Sequence, residues 1–186
     1  MKIIAFHIKF HSVAILLAAL LFSCTNDIKK VRNFLSDKNL PIGKAQNIHT
    51  LYKDSGKVVS ILDSPLMYDY ANRELQPYME FPEGIRLLRI YGDSDSTLVT
   101  ARYALTYTKN DLSELRDSVE VINYSKNFIL RTSQLFWDQK LHYFISTQPF
   151  ILVTPSDTIY GQGFESTENL ENWQSRNNYG SLTVKE

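Results

Sequence analysis

From Asn47 onward, apolar and polar positions alternate in short runs. The runs are separated by turn residues such as Asp54-Ser55-Gly56, Phe81-Pro82-Glu83-Gly84, Gly92-Asp93-Ser94-Asp95, Lys109-Asn110-Asp111 and Pro155-Ser156-Asp157. Period two over runs this short predicts half-buried β-strands, because successive side chains of a strand point to opposite faces. Turn signals at this spacing predict an all-β sandwich, barrel or roll. The clearest run is 97–108, with Val99, Ala101, Tyr103, Leu105 and Tyr107 on one face and Thr100, Arg102, Thr106 and Thr108 on the other. A one-residue slip would expose the whole apolar set, and burying a side chain such as Val99 or Leu105 contributes about 1.5–3 kcal/mol, so the register is firmly set. Val119, Val121, Phe128, Leu130, Leu135, Trp137, Phe144, Phe150 and Leu152 continue the theme. Their phase shifts around Thr132 to Leu135, as a β-bulge would produce.

A degenerate internal repeat accompanies the alternation. Leu98-Val99 to Tyr107 followed by Asp117-Ser118-Val119 resembles Phe128-Ile129 to Trp137 followed by Gln148-Pro149-Phe150. Such units read as successive strands of one stack, in which each rung needs its neighbours to bury its apolar face.

The N-terminal part differs. Lys2 and Lys9 precede an uninterrupted apolar stretch from Val13 to Phe22, and Ser23 is the small residue expected before a cleavage point, directly ahead of Cys24. About 20 apolar residues are needed to cross ~30 Å of hydrocarbon, and this run is roughly half that, so a signal peptide over residues 1–23 is expected. Residues 24–46 are polar, with Ile28, Val31 and Leu35 spaced for a helical turn or two; they read as a tether or as a helix packed on the domain. The sheet domain is expected over residues 47–186.

Composition agrees with that division: Tyr, Phe, Ile, Val, Leu and Thr are plentiful, while Gly and Pro number 7 and 6. Lys plus Arg equals Asp plus Glu at 20 each, and removing residues 1–23 takes away Lys2 and Lys9 and no acid, leaving about minus two. Binding of nucleic acid by bulk charge is therefore not expected. With 1 cysteine the chain has no internal disulfide framework.

Catalytic constellations are poor. Of the 4 histidines, His7 and His11 lie in the leader, and His49 and His142 stand apart without metal-ligand spacing. Asp93 with Asp95, and Asp111 with Glu114, read as solvated turn carboxylates. No catalytic residue, metal or cofactor is expected.

Residues Leu21-Phe22-Ser23-Cys24 resemble the lipobox of bacterial lipoproteins, which implies acylation of the Cys24 thiol and a firm membrane anchor. A secreted protein with a leftover cysteine, or an uncleaved anchor, is the alternative. Further along, Phe81-Pro82-Glu83-Gly84-Ile85, Ala101 to Tyr107, Leu130-Arg131-Thr132-Ser133-Gln134-Leu135-Phe136-Trp137-Asp138 and Asp157-Thr158-Ile159-Tyr160-Gly161-Gln162-Gly163-Phe164-Glu165 occur in order. Together these segments resemble the LptC family of lipopolysaccharide export proteins, in a lipoprotein-anchored form, over roughly Asp54 to Leu182. The resemblance implies an open, twisted β-jellyroll of stacked antiparallel strands on the periplasmic face of the inner membrane. It would receive lipopolysaccharide from the inner-membrane ABC transporter and pass it along an apolar groove to an LptA-like bridge.

On that reading Val99, Tyr103, Leu105, Val119, Val121, Leu130, Trp137, Phe150 and Leu152 are groove candidates, each of which could equally be ordinary core. Exposed sheet edges can add a partner strand. The candidates are Ile48, Thr50 and Tyr52 at the transporter-facing end, and Gly180, Leu182 and Val184 at the bridge-facing end. An envelope lipoprotein whose β-domain scaffolds or binds lipid without moving it is the alternative function.

Overall fold

The structure is a computed structural model that describes residues 29–30, 33–34, 39–92 and 95–179. Ser23, Cys24, Asp93, Gly180, Leu182 and Val184 lie outside the described residues, and with them the cleavage site, the lipidation site and the C-terminal edge candidates. Among the described residues no helix is long and apolar enough to cross a membrane.

The described residues are nearly all β, as the alternation predicts. Among the described residues eleven strands form one antiparallel sheet: β1 (Gly43–Asp54), β2 (Lys57–Tyr70), β3 (Tyr78–Phe81), β4 (Ile85–Tyr91), β5 (Asp95–Ala101), β6 (Tyr103–Tyr107), β7 (Leu112–Asn123), β8 (Phe128–Asp138), β9 (Tyr143–Val153), β10 (Thr158–Thr167) and β11 (Trp173–Tyr179). Two of the breaks, at 82–84 and at Arg102, leave the chain running in the same direction. β2 pairs with β4 through Ser60 to Asp63 and with β3 through Tyr68 to Tyr70. β7 pairs with β6 through Leu112 to Arg116 and with β5 through Glu120 to Asn123. Taken as kinked single strands, β3 with β4 and β5 with β6 complete a meander in which every strand lies beside its sequence neighbours.

The kinks fall in a row. Register shifts also occur at Arg116/Val119 between β7 and β8, at Thr132/Phe136 between β8 and β9, and at Gln162/Phe164 between β10 and β9. The shift at Thr132–Phe136 lies where the sequence phase changes. Along this line the sheet folds over into two leaves, giving an open, jellyroll-like roll. Left-handed backbone serves the crossing: Asp117 and Ser118 have φ 60° and 55°, and Gly84 has φ 89°. A Cβ at Gly84 would stand 2.4 Å from the Ala101 carbonyl oxygen, so glycine is required there.

A bulge releases backbone carbonyls from the ladder, and buried carbonyls need new donors. Hydroxyls supply them. Ser64 Oγ donates to the carbonyls of Leu66 (3.0 Å) and Gly84 (2.8 Å), Thr132 Oγ1 to that of Pro149 (2.9 Å), and Ser146 Oγ to that of Gln134 (2.7 Å).

Between the leaves lies the core. In the first leaf, Leu87, Val99, Val121, Leu130, Leu152 and Ile159 stand directly opposite one another across β4, β5, β7, β8, β9 and β10, and all are buried. The second leaf answers with Phe81, Ala104, Leu115 and Leu135, also mutually in register and buried. Phe150 and Phe164 meet near the fold line with ring centroids 5.0 Å apart.

Two expectations are corrected. The run 97–108 is not one strand with one apolar face: it breaks at Arg102, whose N–H donates to the Asp117 carbonyl at 3.0 Å. The crossing shifts the phase, so Ala104 follows Val99 and Ala101 into the core while Tyr103, Leu105 and Tyr107 turn to the outer face. The sheet also starts earlier than residue 47, because β1 begins at Gly43. Residues 29–30 and 33–34 are helical, but Phe34 is 60% exposed, so its side chain is not docked on the roll.

Leu130→Ala is expected to lower the unfolding free energy by about 2–5 kcal/mol, since it empties a fully enclosed site. Leu141→Ala, at a position 71% exposed, should change it by no more than about 0.5 kcal/mol. Urea titrations of the two variants check the contrast.

Candidate functional site: an apolar slot beside the β1 edge

The two leaves do not pack equally well along the roll. From β7 to β10 the apolar ladders interlock, and Leu115, Leu130, Leu135, Leu152 and Phe164 are 0% exposed. Toward β1, the second leaf presents Met79, Thr106 and Ser113 in place of large branched side chains, and a slot of about 280 Å³ remains. Leu62, Ile85 and Leu87 form its first wall, and Met79, Phe81 and Trp137 its second. Ser60, Arg89, Thr106, Ser113 and Gln139 add polar groups around this apolar lining. The volume is close to the lower end of the ~300–1,000 Å³ usual for small-molecule sites.

Arg89 separates the slot from a neighbouring pocket of about 360 Å³ that the turn between β10 and β11 borders through Glu168, Asn169 and Glu171. Glu168, 4% exposed, enters the roll and its carboxylate meets Arg89 Nη2 at 3.2 Å, Trp137 Nε1 at 3.0 Å and His142 Nδ1 at 3.1 Å. Leu170 is completely buried. Asn123 Nδ2 donates to the Asn169 carbonyl (2.8 Å), and Lys126 pairs with Glu171 (3.0 Å). Arg89, Asn123 and Lys126 belong to the first leaf or its connecting turn, so residues 168–172 strap the two leaves together. Tyr91, beside Glu168, has its phenol held well above the usual range, first by burial and then by that carboxylate.

The groove candidates separate into three groups. Val99, Val121, Leu130 and Leu152 are 0% exposed and packed core, and Val119 at 1% and Phe150 at 2% are buried as well but also line a depression of about 840 Å³. Trp137 lines the slot. Tyr103 and Leu105 lie on the outer face, where the Tyr103 hydroxyl donates to Glu80 (2.8 Å), the Arg116 guanidinium sits 5.6 Å from the Tyr103 ring centre, and Leu105 faces Glu114 across the ladder. Sequence reasoning missed Leu62, Met79, Ile85 and Leu87. Leu62, Met79 and Ile85 could have been found, because each is an apolar residue two places from another inward position, Ser60, Phe81 and Leu87 respectively.

The edge candidates Ile48, Thr50 and Tyr52 all lie on β1, which pairs with β2 and with no other strand among the described residues. Tyr52 also reaches the slot. At the other end β11 is the last strand described, paired with β10.

The 840 Å³ depression runs from the outer face of the first leaf, at Glu120, Arg131, Ile151 and Tyr160, to the fold line, at Val119 and Phe150. It is bridged by the Arg131–Glu120 ion pair at 2.6 Å and faces solvent. The smaller slot is the stronger candidate for an apolar ligand, since it is enclosed by two leaves and continuous with the core.

The titratable pairs are dispersed and engaged. His49 contacts Asp63 at 2.6 Å, with Arg86 at 3.3 Å from the same carboxylate; the His49 hydrogen bond outweighs the little burial there and holds Asp63 below its usual pKa. Asp95 accepts from Ser125 Oγ (2.6 Å) and Asn123 Nδ2 (3.1 Å). Among the described residues no group of three or more His, Cys, Asp or Glu is placed to hold a metal ion.

No protein-family model matches the chain, and no curated protein matches it.

Glu114 gives a pH-dependent test of the outer face. Burial pushes its carboxyl up, but hydrogen bonds from Arg116 and Gln134 outweigh that, so the folded pKa lies below the ordinary 4.5. The unfolded chain thus takes up the proton first as pH falls. The stabilisation is complete above 4.5 and is lost as pH drops through the depressed folded value. Wild type should therefore melt above Glu114→Gln at neutral pH, with the gap narrowing on acidification; a gap that stays constant from pH 7 to strong acid, read by calorimetry, would contradict the assignment.

Proposed function

We propose that the chain is a periplasmic, membrane-anchored component of lipopolysaccharide export. It would take acyl chains from the inner-membrane ABC transporter and hand them toward an LptA-like bridge. The observation that carries this reading is the apolar slot between two leaves, opening beside an edge strand that has no second neighbour among the described residues. Acyl chains need a dry surface with many weak contacts of similar strength, and Leu62, Met79, Ile85 and Leu87 supply such a surface. A free edge can add a strand from a partner, which would align the partner's own groove with the slot. Acylated Cys24 would keep the roll at the membrane, and no covalent chemistry is part of the cycle. ATP hydrolysis falls to the transporter.

The packed core beyond Trp137 favours a second reading, an envelope lipoprotein that binds lipid or scaffolds partners without passing lipid through. A photo-crosslinking residue at Leu62 or Met79 should capture lipopolysaccharide in the presence of the transporter and ATP, while the same residue at Tyr103, on the outer face, should not. Capture that is independent of ATP would point to the binding module, and capture of protein alone from Leu62 to the scaffold.

Anchoring is tested separately. Replacing the leader and Cys24 by a transmembrane helix should preserve function, whereas Cys24→Ser with no substitute anchor should release the protein from the membrane fraction.

A further inference from the structure

The carboxylate of Glu168 fills a site that is built for an anion. Three ring or guanidinium nitrogens converge on it: Arg89 Nη2, Trp137 Nε1 and His142 Nδ1, at 3.0–3.2 Å. Beside them, Arg89 Nε, the Tyr91 hydroxyl and the Thr97 hydroxyl are buried with no hydrogen-bond partner, and Thr97 is 0% exposed. These atoms stand on adjacent inward positions of β4 and β5, with the Tyr91 hydroxyl beside both Thr97 and Glu168 and Arg89 Nε left without a close partner. Unpaired buried donors are costly, so the site has capacity for a group with more acceptor atoms than a carboxylate. Arg89 and Trp137 also line the apolar slot, while Glu168, Tyr91 and His142 line a neighbouring pocket of about 360 Å³, so the Arg89 guanidinium stands between the two.

Glu168 does not come from the cradle's own strands. It is delivered by the turn after β10, together with the buried Leu170. The internal carboxylate is therefore both ligand and latch.

From this we infer that the inner end of the slot is a headgroup site for an anionic amphiphile. Its apolar chain lies between Leu62, Met79 and Leu87, while its phosphate or carboxylate head displaces Glu168 from Arg89 and Trp137 and so releases the 168–172 strap. The inference rests on the slot taking an acyl chain, and it adds the head chemistry and the consequence of binding. Exchange of one anion for another keeps Arg89 neutralised throughout. A phosphoryl head, with more oxygens than a carboxylate, also reaches the donors left unpaired by Glu168. Once displaced, Glu168 and Leu170 swing out with the turn, and the slot becomes continuous with the space that Leu170 occupied.

The test uses the full chain with three probes: dodecyl phosphate, dodecanol and inorganic phosphate. Tryptophan fluorescence reports occupancy, and amide hydrogen exchange over residues 167–173 reports the strap, whose Glu168 and Leu170 N–H groups donate to the carbonyls of His142 (3.0 Å) and Thr167 (2.9 Å). Dodecyl phosphate is expected to speed exchange of those amides by about tenfold or more, whereas dodecanol binds without that effect. Glu168→Gln, which leaves Arg89 in place, should show fast exchange without any probe and should bind dodecyl phosphate more tightly than wild type does, with no further acceleration. Binding of dodecyl phosphate with the strap unchanged, or equal release by dodecanol, overturns the inference and leaves the slot intact as an acyl site. Release by inorganic phosphate alone replaces the amphiphile with a free-anion site and also overturns it. Failure of both chain-bearing probes to bind removes the acyl slot itself, and the export reading with it.

Discussion

Everything in this roll depends on how the strands cross the fold line. A sheet of this width with one apolar face has to cover that face, and here it does so by bending on itself, so that long strands such as β2, β7, β8 and β9 contribute to both leaves. Bending breaks the ladder at every crossing, and each break leaves polar backbone inside an apolar interior. The solution is local: a left-handed residue or a glycine turns the backbone, and a serine or threonine hydroxyl takes up the freed carbonyl, as at Gly84 with Ser64 and at Pro149 with Thr132. The apolar ladders on either side can then face one another, and their burial stabilises the fold.

Because the leaves are hinged along one side, how closely they approach is set by what fills the space between them. Where Leu115 and Leu135 face Val121 and Leu130, the space is full. Where Met79, Thr106 and Ser113 face Leu62 and Leu87, it is not, and the slot results. Side-chain volume along two facing ladders is thus what divides a sealed core from an accessible one, with no change in backbone topology. This also explains why the one groove candidate that reaches the slot, Trp137, sits at the junction of the two regions.

Alternation made the sheet legible, since period two survives any three-dimensional arrangement of the strands. Ladder partners such as Val121 and Leu130 were recognisable as inward residues for that reason. A phase change at a kink is harder to read. Tyr103 and Leu105 share their period with Val99 in the sequence, yet the crossing at Arg102 puts them on the opposite face. Gly84 and Arg102 are joined in space by the approach of β4 to β5, a contact that no single run of residues reveals. The phase change near Thr132 could be read because apolar residues flank it on both sides, whereas at Arg102 tyrosines pass for core residues in any pattern. The slot was hidden for a related reason: it exists where residues are slightly too small to fill space, which is a property of facing pairs.

The pairing of Arg89 with Glu168 follows a different logic from the rest of the interior. Burying two charges incurs desolvation that their attraction roughly offsets, so such a pair adds little net stability compared with apolar packing. Removing one partner is another matter, because an uncompensated buried charge costs about 3–5 kcal/mol. A roll that needed only glue would be served by another leucine at position 168, next to the already buried Leu170. An ion pair has a property that leucine lacks: its acid can be exchanged for another anion without leaving the base unpaired. The strap is therefore strong against thermal opening, where Glu168 would leave with nothing to replace it, and weak against a competing anionic headgroup. In the proposed cycle that asymmetry makes opening depend on cargo rather than on fluctuation.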